Sequence, residues 1–313
     1  MSSVGRNILA FLLCLGLSSC VHKELCYDHS HIREIDVVFD WEGVPEDAIP
    51  PTMALYLYPK DDSRLQRFEF ADPRGGRIRL EGGYYDAVCV NSGVREVEVL
   101  NSKEFQEFVI SSKSAYQLTG LSGISTKSLP RAKGTEEERI TLPPEIMWAR
   151  SCVGADLRES GSVLKMAPQK KVRRIFVEIN NAENLRWING VSATLSTMSG
   201  GYLPTQERLS EENVTIGFDC RYSIEEKKIV GELTTFGHCP DEINSHLLTL
   251  YVILADNSKW YYNFDVTDQL HEGKGDDIWI VLDSLPIPEP VTESGGLKPE
   301  VEEWKEMTFD IKM

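Results

Sequence analysis

Cysteine is the residue whose placement says most about chemistry in this sequence. Cys20 follows Leu17-Ser18-Ser19 at the end of an apolar run, Ile8 to Leu17, with Arg6 ahead of it. A thiol behind a small residue at that point has the pattern of a lipobox, where the sulfur takes a diacylglyceryl thioether before the peptidase cuts. The apolar run is about ten residues, too short to cross a bilayer, which needs about 20. Residues 1–19 are therefore predicted to be a lipoprotein signal peptide, and residues 20–31 a tether carrying palmitate-type chains on Cys20. No later stretch is long and apolar enough to span a membrane, so the expected membrane contact is the lipid anchor alone.

The remaining thiols suggest no scaffold. The chain has seven Cys; with Cys14 in the signal and Cys20 acylated, Cys26, Cys89, Cys152, Cys220 and Cys239 are left. Their number is odd and their spacing wide, and no C-x-x-C occurs. Cys89, in Ala87-Val88-Cys89-Val90, reads as a small buried hydrophobe. Cys220 and Cys239 are free to pair or not. Cys26, His29 and His31 cluster with Asp28 in a C-Y-D-H-S-H run, but no second half-site of matching spacing follows, so no metal site and no cofactor are expected.

Catalytic motifs are likewise missing. There is no G-x-S-x-G, H-E-x-x-H, G-x-x-x-x-G-K-[ST] or G-x-G-x-x-G. Ser162-Val163-Leu164-Lys165 fits S-x-x-K, but no K-T-G follows. The 49 carboxylates make any acid–base pair proposable, so their number singles out none. A non-enzyme is expected. Among the six Trp, Trp41, Trp260 and Trp279 lie in strand patterns and read as core. Trp187, beside a turn, is the candidate for stacking on a ligand such as a sugar ring.

A net charge of −16 argues against nucleic acid as a partner, since a basic face is what releases counterions. Hydrophobic residues at 41% and charged residues at 26% are those of ordinary globular domains, and 313 residues allow about two of them.

The elements that must carry these residues have a period of two. Ile35, Val37, Phe39 and Trp41 alternate with Asp36, Val38 and Asp40 as in a half-buried strand. Further strands are expected at 52–58, 64–70, 77–80, 84–91, 95–100, 104–111 and 116–121. A second series follows at 172–180, 191–197, 214–219, 228–235, 247–255, 259–266 and 278–284. Gly75-Gly76, Gly82-Gly83 and Asp256-Asn257-Ser258 supply turns. Many short strands with frequent turns predict an all-β chain of sandwiches. Residues 124–142 carry no apolar period and read as a long exposed loop. A helical turn or two is expected near 204–212. After the Pro/Gly-rich 286–300, Met307, Phe309, Ile311 and Met313 share one face of a last strand. That strand either closes the chain's own sheet or contacts another subunit. Two domains, 32–160 and 170–313, are expected.

Several stretches together resemble the fimbrillin-like lipoproteins of Bacteroidales. These are the lipoprotein signal followed by His22-Lys23-Glu24-Leu25-Cys26-Tyr27-Asp28-His29, Val38-Phe39-Asp40-Trp41, Met53-Ala54-Leu55-Tyr56-Leu57-Tyr58-Pro59 and Leu80-Glu81-Gly82-Gly83-Tyr84-Tyr85-Asp86-Ala87-Val88. In the second half they are Ser192 to Met198, Gly231 to Gly237 and Phe264 to Gln269. Lys23-Glu24 is also similar to a minimal surface-export signal. The resemblance implies two tandem transthyretin-like β-sandwiches and an outer-membrane lipoprotein exposed at the cell surface. It implies a non-catalytic anchor or accessory component of a fimbrium or adhesin, with other fimbrillin-like subunits as partners. The alternative expectation is a carbohydrate-binding surface lipoprotein of a glycan-uptake system.

Overall fold

The computed structural model describes residues 31–61, 64–121, 123–238, 245–290 and 303–308. Cys20, Cys26, His29, Cys239, Phe309, Ile311 and Met313 lie outside the described residues. The first half carries β1 (Ile32–Phe39), β2 (Met53–Pro59), β3 (Gln66–Phe70), β4 (Gly75–Glu81), β5 (Tyr84–Asn91), β6 (Val97–Leu100), β7 (Val109–Ser112), β8 (Arg139–Thr141), β9 (Trp148–Asp156), β10 (Val163–Met166) and β11 (Gln169–Lys170). The second carries β12 (Arg173–Ala182), β13 (Ile188–Ser199), β14 (Gly201–Leu203), β15 (Arg208–Leu209), β16 (Asn213–Ser223), β17 (Lys228–Thr235), β18 (Leu247–Leu254), β19 (Lys259–Asp265), the helix α1 (Thr267–Glu272), β20 (Asp277–Leu285) and β21 (Trp304–Glu306). The chain is all-β.

The first sandwich packs the sheet β10-β1-β4 on the sheet β11-β9-β5-β2-β3. The alternation in β1 sends Ile35, Val37 and Phe39 inward, where they meet Leu55, Leu57, Ile78, Leu80 and Leu164. Outward-facing Asp36 accepts from Arg77 Nε at 2.9 Å on β4. Trp41 is core as expected, edge-on to Trp148 at 5.3 Å, with its Nε1 donating to the Pro73 carbonyl.

β2 and β5 lack alternation because both of their faces are buried. Ala54, Tyr56, Tyr58, Val88 and Val90 point away from the first core into a second one. That second core is covered by β6 and β7, by Phe105 and Phe108, and by Val172, Tyr202 and Phe236 from the other half of the chain. β7 pairs with β14 (Gly201↔Ser111, Tyr202↔Ile110), so a four-stranded sheet, β15-β14-β7-β6, is built from both halves. Hydrogen bonding therefore crosses the expected 160/170 division.

The second sandwich opens on β16. Its first part, Asn213–Asp219, pairs with β13, and the strands run on through β18, β19 and β21. Its last part, Cys220–Ser223, pairs with β17, which leads to β12 and β20. One strand thus belongs to both layers. Between them lie Ile175, Val177, Ile179, Leu195, Phe218, Leu250, Tyr262, Ile278 and Ile280.

Residues 113–142 correct the expectation of an exposed loop. This segment is a belt across the second sandwich. Leu118, Leu121 and Leu129 are buried against Tyr251. β8 pairs in parallel with β16 (Val214↔Arg139 to Ile216↔Thr141). The charges that made the stretch look solvated are tied down. Glu138 accepts from Thr197 N at 3.0 Å and from the Thr215 hydroxyl at 2.6 Å. Arg131 donates to the Thr135 carbonyl and the Thr215 hydroxyl, and its burial pushes its pKa down. Arg139 is bidentate to Glu212, with both N–O distances 3.0 Å. Gly120 crosses β13 so closely that a Cβ would sit 2.1 Å from the Val191 carbonyl oxygen.

Residues 204–207 are not helical but close the β14–β15 hairpin, with Glu207 at φ +50° and Gln206 N donating to the Leu203 carbonyl. The one α-helix among the described residues is α1, where Val266 and Leu270 are buried one turn apart and Asp265 accepts from Thr267 N. Expected strand 116–121 is reduced to a bridge between Gln117 and Ser125.

Removing the Glu138 carboxylate by Glu138→Ala is expected to cost about 1.5–3 kcal/mol, read as a lower urea midpoint at unchanged m-value. Gly120→Ala should cost about 1–3 kcal/mol by overpacking. Brief trypsin treatment of the folded protein should spare Arg131 and Arg139; early cleavage at either would refute the belt.

Candidate functional site

Three surfaces bring together groups that could meet a partner. The first is the edge of the second sandwich. β21 runs parallel to β19, with Lys259↔Trp304, Trp260↔Lys305 and Tyr261↔Glu306 in register. Trp304 lies edge-on to Tyr251 at 5.3 Å, Asn263 Nδ2 donates to Glu306 at 2.9 Å, and Met307 N donates to the Tyr261 carbonyl at 3.0 Å. Met307 packs against the main core of this sandwich. The described part of the C-terminal segment thus lies on the chain's own sheet. Among the described residues it pairs with β19 at Lys259, Trp260 and Tyr261.

The second surface is the outer face of β12, β17 and β20. β12 and β20 are parallel and in register at Phe176↔Trp279. Alternation that buries Ile175, Val177, Ile278 and Ile280 must turn Phe176 and Trp279 outward. Their rings stack at 4.7 Å and 21°, and Trp279 is 57% exposed. Trp279 is therefore not core, which corrects the sequence expectation: one strand position decides inside from outside, and the apolar neighbours Ile278 and Ile280 mask it. Arg174 lies over the Phe176 ring at 5.4 Å and is bidentate to Asp277, which raises its pKa. Beside Phe176 a groove of about 700 Å³ is lined by Asp219, Arg221, Val230, Glu232 and Pro143. Trp187 is placed differently. It is half-buried against the main core, with the Arg186 guanidinium over its ring at 5.0 Å. Trp260 is also half-buried against that core.

The third is a cluster that the sequence does not announce. His238, His246 and His271 lie at positions 8 and 25 residues apart, on the end of β17, the start of β18 and α1. Their ligand-type atoms all fall within 4.8 Å of one another. His246 is buried, which together with His271 lowers its pKa. No local motif could have revealed the cluster; only the pairing of β13 with β18 and the position of α1 bring it together.

The described thiols are free. Cys89 and Cys220 are buried, and burial holds the thiol of Cys89 up at about 12. Both are packing groups rather than nucleophiles. Among the described residues no helix is long and apolar enough to cross a membrane.

A family model described as a domain of unknown function, DUF5119, matches residues 19–219. The chain belongs to the DUF5119 family. The matched span includes the belt and ends inside β16. No curated protein matches the sequence. A candidate adhesin of known structure from Bacteroides ovatus shares 18% identity with this DUF5119 chain, at a TM-score of 0.63, over 88% of this chain and 99% of its own. A candidate polysaccharide-binding protein from Bacteroides thetaiotaomicron shares 10% at a TM-score of 0.51, over 80% and 90%. The fimbrial anchor protein Mfa2 from Porphyromonas gingivalis shares 13% at 0.48, over 80% and 90%. At such identities the likeness is one of fold. In fold, the resemblance to fimbrillin-like proteins is borne out.

Because Trp279 is outside and Trp41 inside, the two should respond unequally to truncation. Trp279→Ala is expected to cost about 1 kcal/mol or less, mostly its stack on Phe176. Trp41→Ala should cost about 3–5 kcal/mol. Equal costs in thermal unfolding would contradict the assignment.

Proposed function

We propose that this DUF5119 protein is a non-catalytic adhesin or fimbrial component, held at the outer surface of the cell by acyl chains on Cys20. The observation that carries the reading is the fold likeness to the Bacteroides ovatus candidate adhesin, which runs through nearly all of both chains. The lipobox pattern around Cys20 supports the anchor, and several acyl chains on one Cys bind a membrane far more firmly than a single myristoyl does. The β19 edge, which pairs with a short strand of the C-terminal segment rather than with a neighbouring hairpin, supports contact with other fimbrillin-like subunits by β-augmentation, in which main-chain hydrogen bonds add a strand and alternate side chains select it. In this reading the segment that begins at β21, with Met307, Phe309, Ile311 and Met313, completes the chain's own sheet.

Two measurements test it. In cells, the tagged protein should fractionate with the outer membrane and be cleaved by protease added outside, and Cys20→Ala should release it to the soluble fraction. Unchanged membrane partitioning of that variant would rule out the anchor. Deletion of 304–313 should lower the melting temperature, because apolar side chains lose their burial at about 1.5–3 kcal/mol for each one fully buried. An unchanged melting temperature together with failed co-assembly would show instead that the strand is donated.

A second reading, carbohydrate binding, is favoured by one observation: the stacked, outward Phe176–Trp279 pair beside a groove whose lining includes Asp219, Arg221 and Glu232. Aromatic faces of this kind stack on sugar rings, and the carboxylates and Arg221 would meet hydroxyls. On a glycan array, binding should then be lost in Trp279→Ala and kept in Trp187→Ala. An array with no hits for the unmodified protein would dispose of this reading and leave the first intact.

A further inference from the structure

The geometry points to a divalent transition-metal site, zinc first, formed by His238, His246 and His271 at one end of the second sandwich. Three imidazoles from three separate connections meet there. The rings of His238 and His271 stack at 4.7 Å and 16°, and both stand at steep angles to His246, at 4.8 Å and 5.1 Å. The Nε2 atoms of His246 and His271 are 3.2 Å apart. Two ligands of a tetrahedral zinc with Zn–N of 2.0–2.1 Å lie about 3.3 Å apart. The pair already has that spacing, and the third ring needs only a small side-chain adjustment within its 4.8 Å limit.

The tautomer fits too. His246 Nδ1 lies 3.2 Å from the Ser196 carbonyl oxygen, which can only accept, so Nδ1 carries the proton and Nε2 presents its lone pair to the cluster. A backbone carbonyl on the far nitrogen is the usual outer support of a metal-bound imidazole.

The ligands are held by backbone and packing contacts of the surrounding strands and helix. His246 N donates to the Thr267 hydroxyl at 2.8 Å, and the His246 carbonyl accepts from Val266 N. α1 is fixed by buried Leu270 and by Gln269, whose side-chain amide donates to the Val281 carbonyl and accepts from Val281 N. His238 follows Gly237, whose carbonyl accepts from Ser199 N at 2.9 Å. The carbonyl of Ser196 is aimed at His246 by a bulge in β13 between Leu195 and Met198, where Thr197 takes φ +61°. Burial is graded: His246 is buried, His238 half-buried and His271 exposed, so an ion can enter from the α1 side.

Imidazole nitrogen suits Zn²⁺, Cu²⁺, Ni²⁺ and Co²⁺ and not the oxygen-seeking Ca²⁺ or Mg²⁺. Among the described residues three ligands converge, and a tetrahedral ion takes a fourth from water or another side chain. The consequence for the fold is a clip that ties β17, β18 and α1 together and closes the connection between residues 238 and 246.

Cobalt(II) is the probe, because its visible absorption reports coordination number directly. The full chain, purified in detergent and stripped with chelator, should bind one equivalent of Co²⁺ with the intense visible bands of four-coordinate cobalt, displaced by Zn²⁺. Zn²⁺ should raise the melting temperature by several degrees through binding to the native state. His271→Ala and His238→Ala, both at accessible positions and checked for native circular dichroism, should each weaken binding at least tenfold and abolish the thermal shift. A triple variant of Cys26, His29 and His31 should bind as the parent does. No bands and no shift at millimolar metal, binding as tight as the parent's in either His→Ala variant, or binding lost only in the triple variant would each overturn the site.

Discussion

Two adjacent strands buried on both faces set the terms for this architecture. β2 and β5 are apolar along nearly their whole length, and a strand so built cannot sit in a sheet with one face in water without exposing several large side chains. The inner cover is supplied by β1, β4 and β10. The outer one requires Phe105, Phe108 and Ile110 from one half of the chain and Val172, Tyr202 and Phe236 from the other. The two sandwiches are thus not beads on a string. Burial of the outer face of β2 and β5 is what fixes β7 against β14.

Once β7 is paired with β14, the chain between β7 and β9 has to travel over the second sandwich and back, and the belt is the result. Its polarity is a requirement of that route. A segment that crosses the strands of another body has to find partners for its own backbone and for what it covers. Glu138 and Arg131 answer this by pairing with Thr197, Thr215 and Thr135. Thr197, a β-branched residue in the left-handed region, would be costly without such support. The bulge it occupies also turns the Ser196 carbonyl toward His246.

The sequence made the first sandwich and most of the second legible, because period-two alternation in β1 reports a single buried face directly and apolar runs mark the other strands. The doubly buried β2 and β5 were also readable, as continuous apolar runs. What was hidden depends on partners remote in sequence. β9 holds Arg150, Ser151 and Gly154 within a nine-residue strand, and its pairing with β5 is what makes it a strand. The belt is polar because its partners are polar, which no local window records. Trp279 and Trp41 both sit in strand patterns, and only the register of β20 on β12 separates the exposed one from the buried one. The histidines share no spacing rule, since the distance between them is set by the lengths of β18, β19 and their connections.

The sheet edges show where a strand could be added. An unguarded edge is a template for another chain, and short strands, charges or a covering group blunt it. β8, β11 and β15 are two or three residues long. β4 lines its edge with Arg77 and Arg79, and β3 with Arg67 and Glu69. β20 is nine residues long, but Gln269 occupies its middle, offering Val281 both a donor and an acceptor as a neighbouring strand would. At β19 the guard is β21, a stretch of the chain's own C-terminal segment. An edge closed by a strand differs in kind from one closed by charge or a side-chain amide. Release of the first exposes a ready row of main-chain partners next to Tyr251 and the apolar site of Met307, whereas the others expose nothing that a strand could use. Among the described residues, β19 is thus an edge guarded by main-chain pairing, where β3, β4 and β20 rely on side chains.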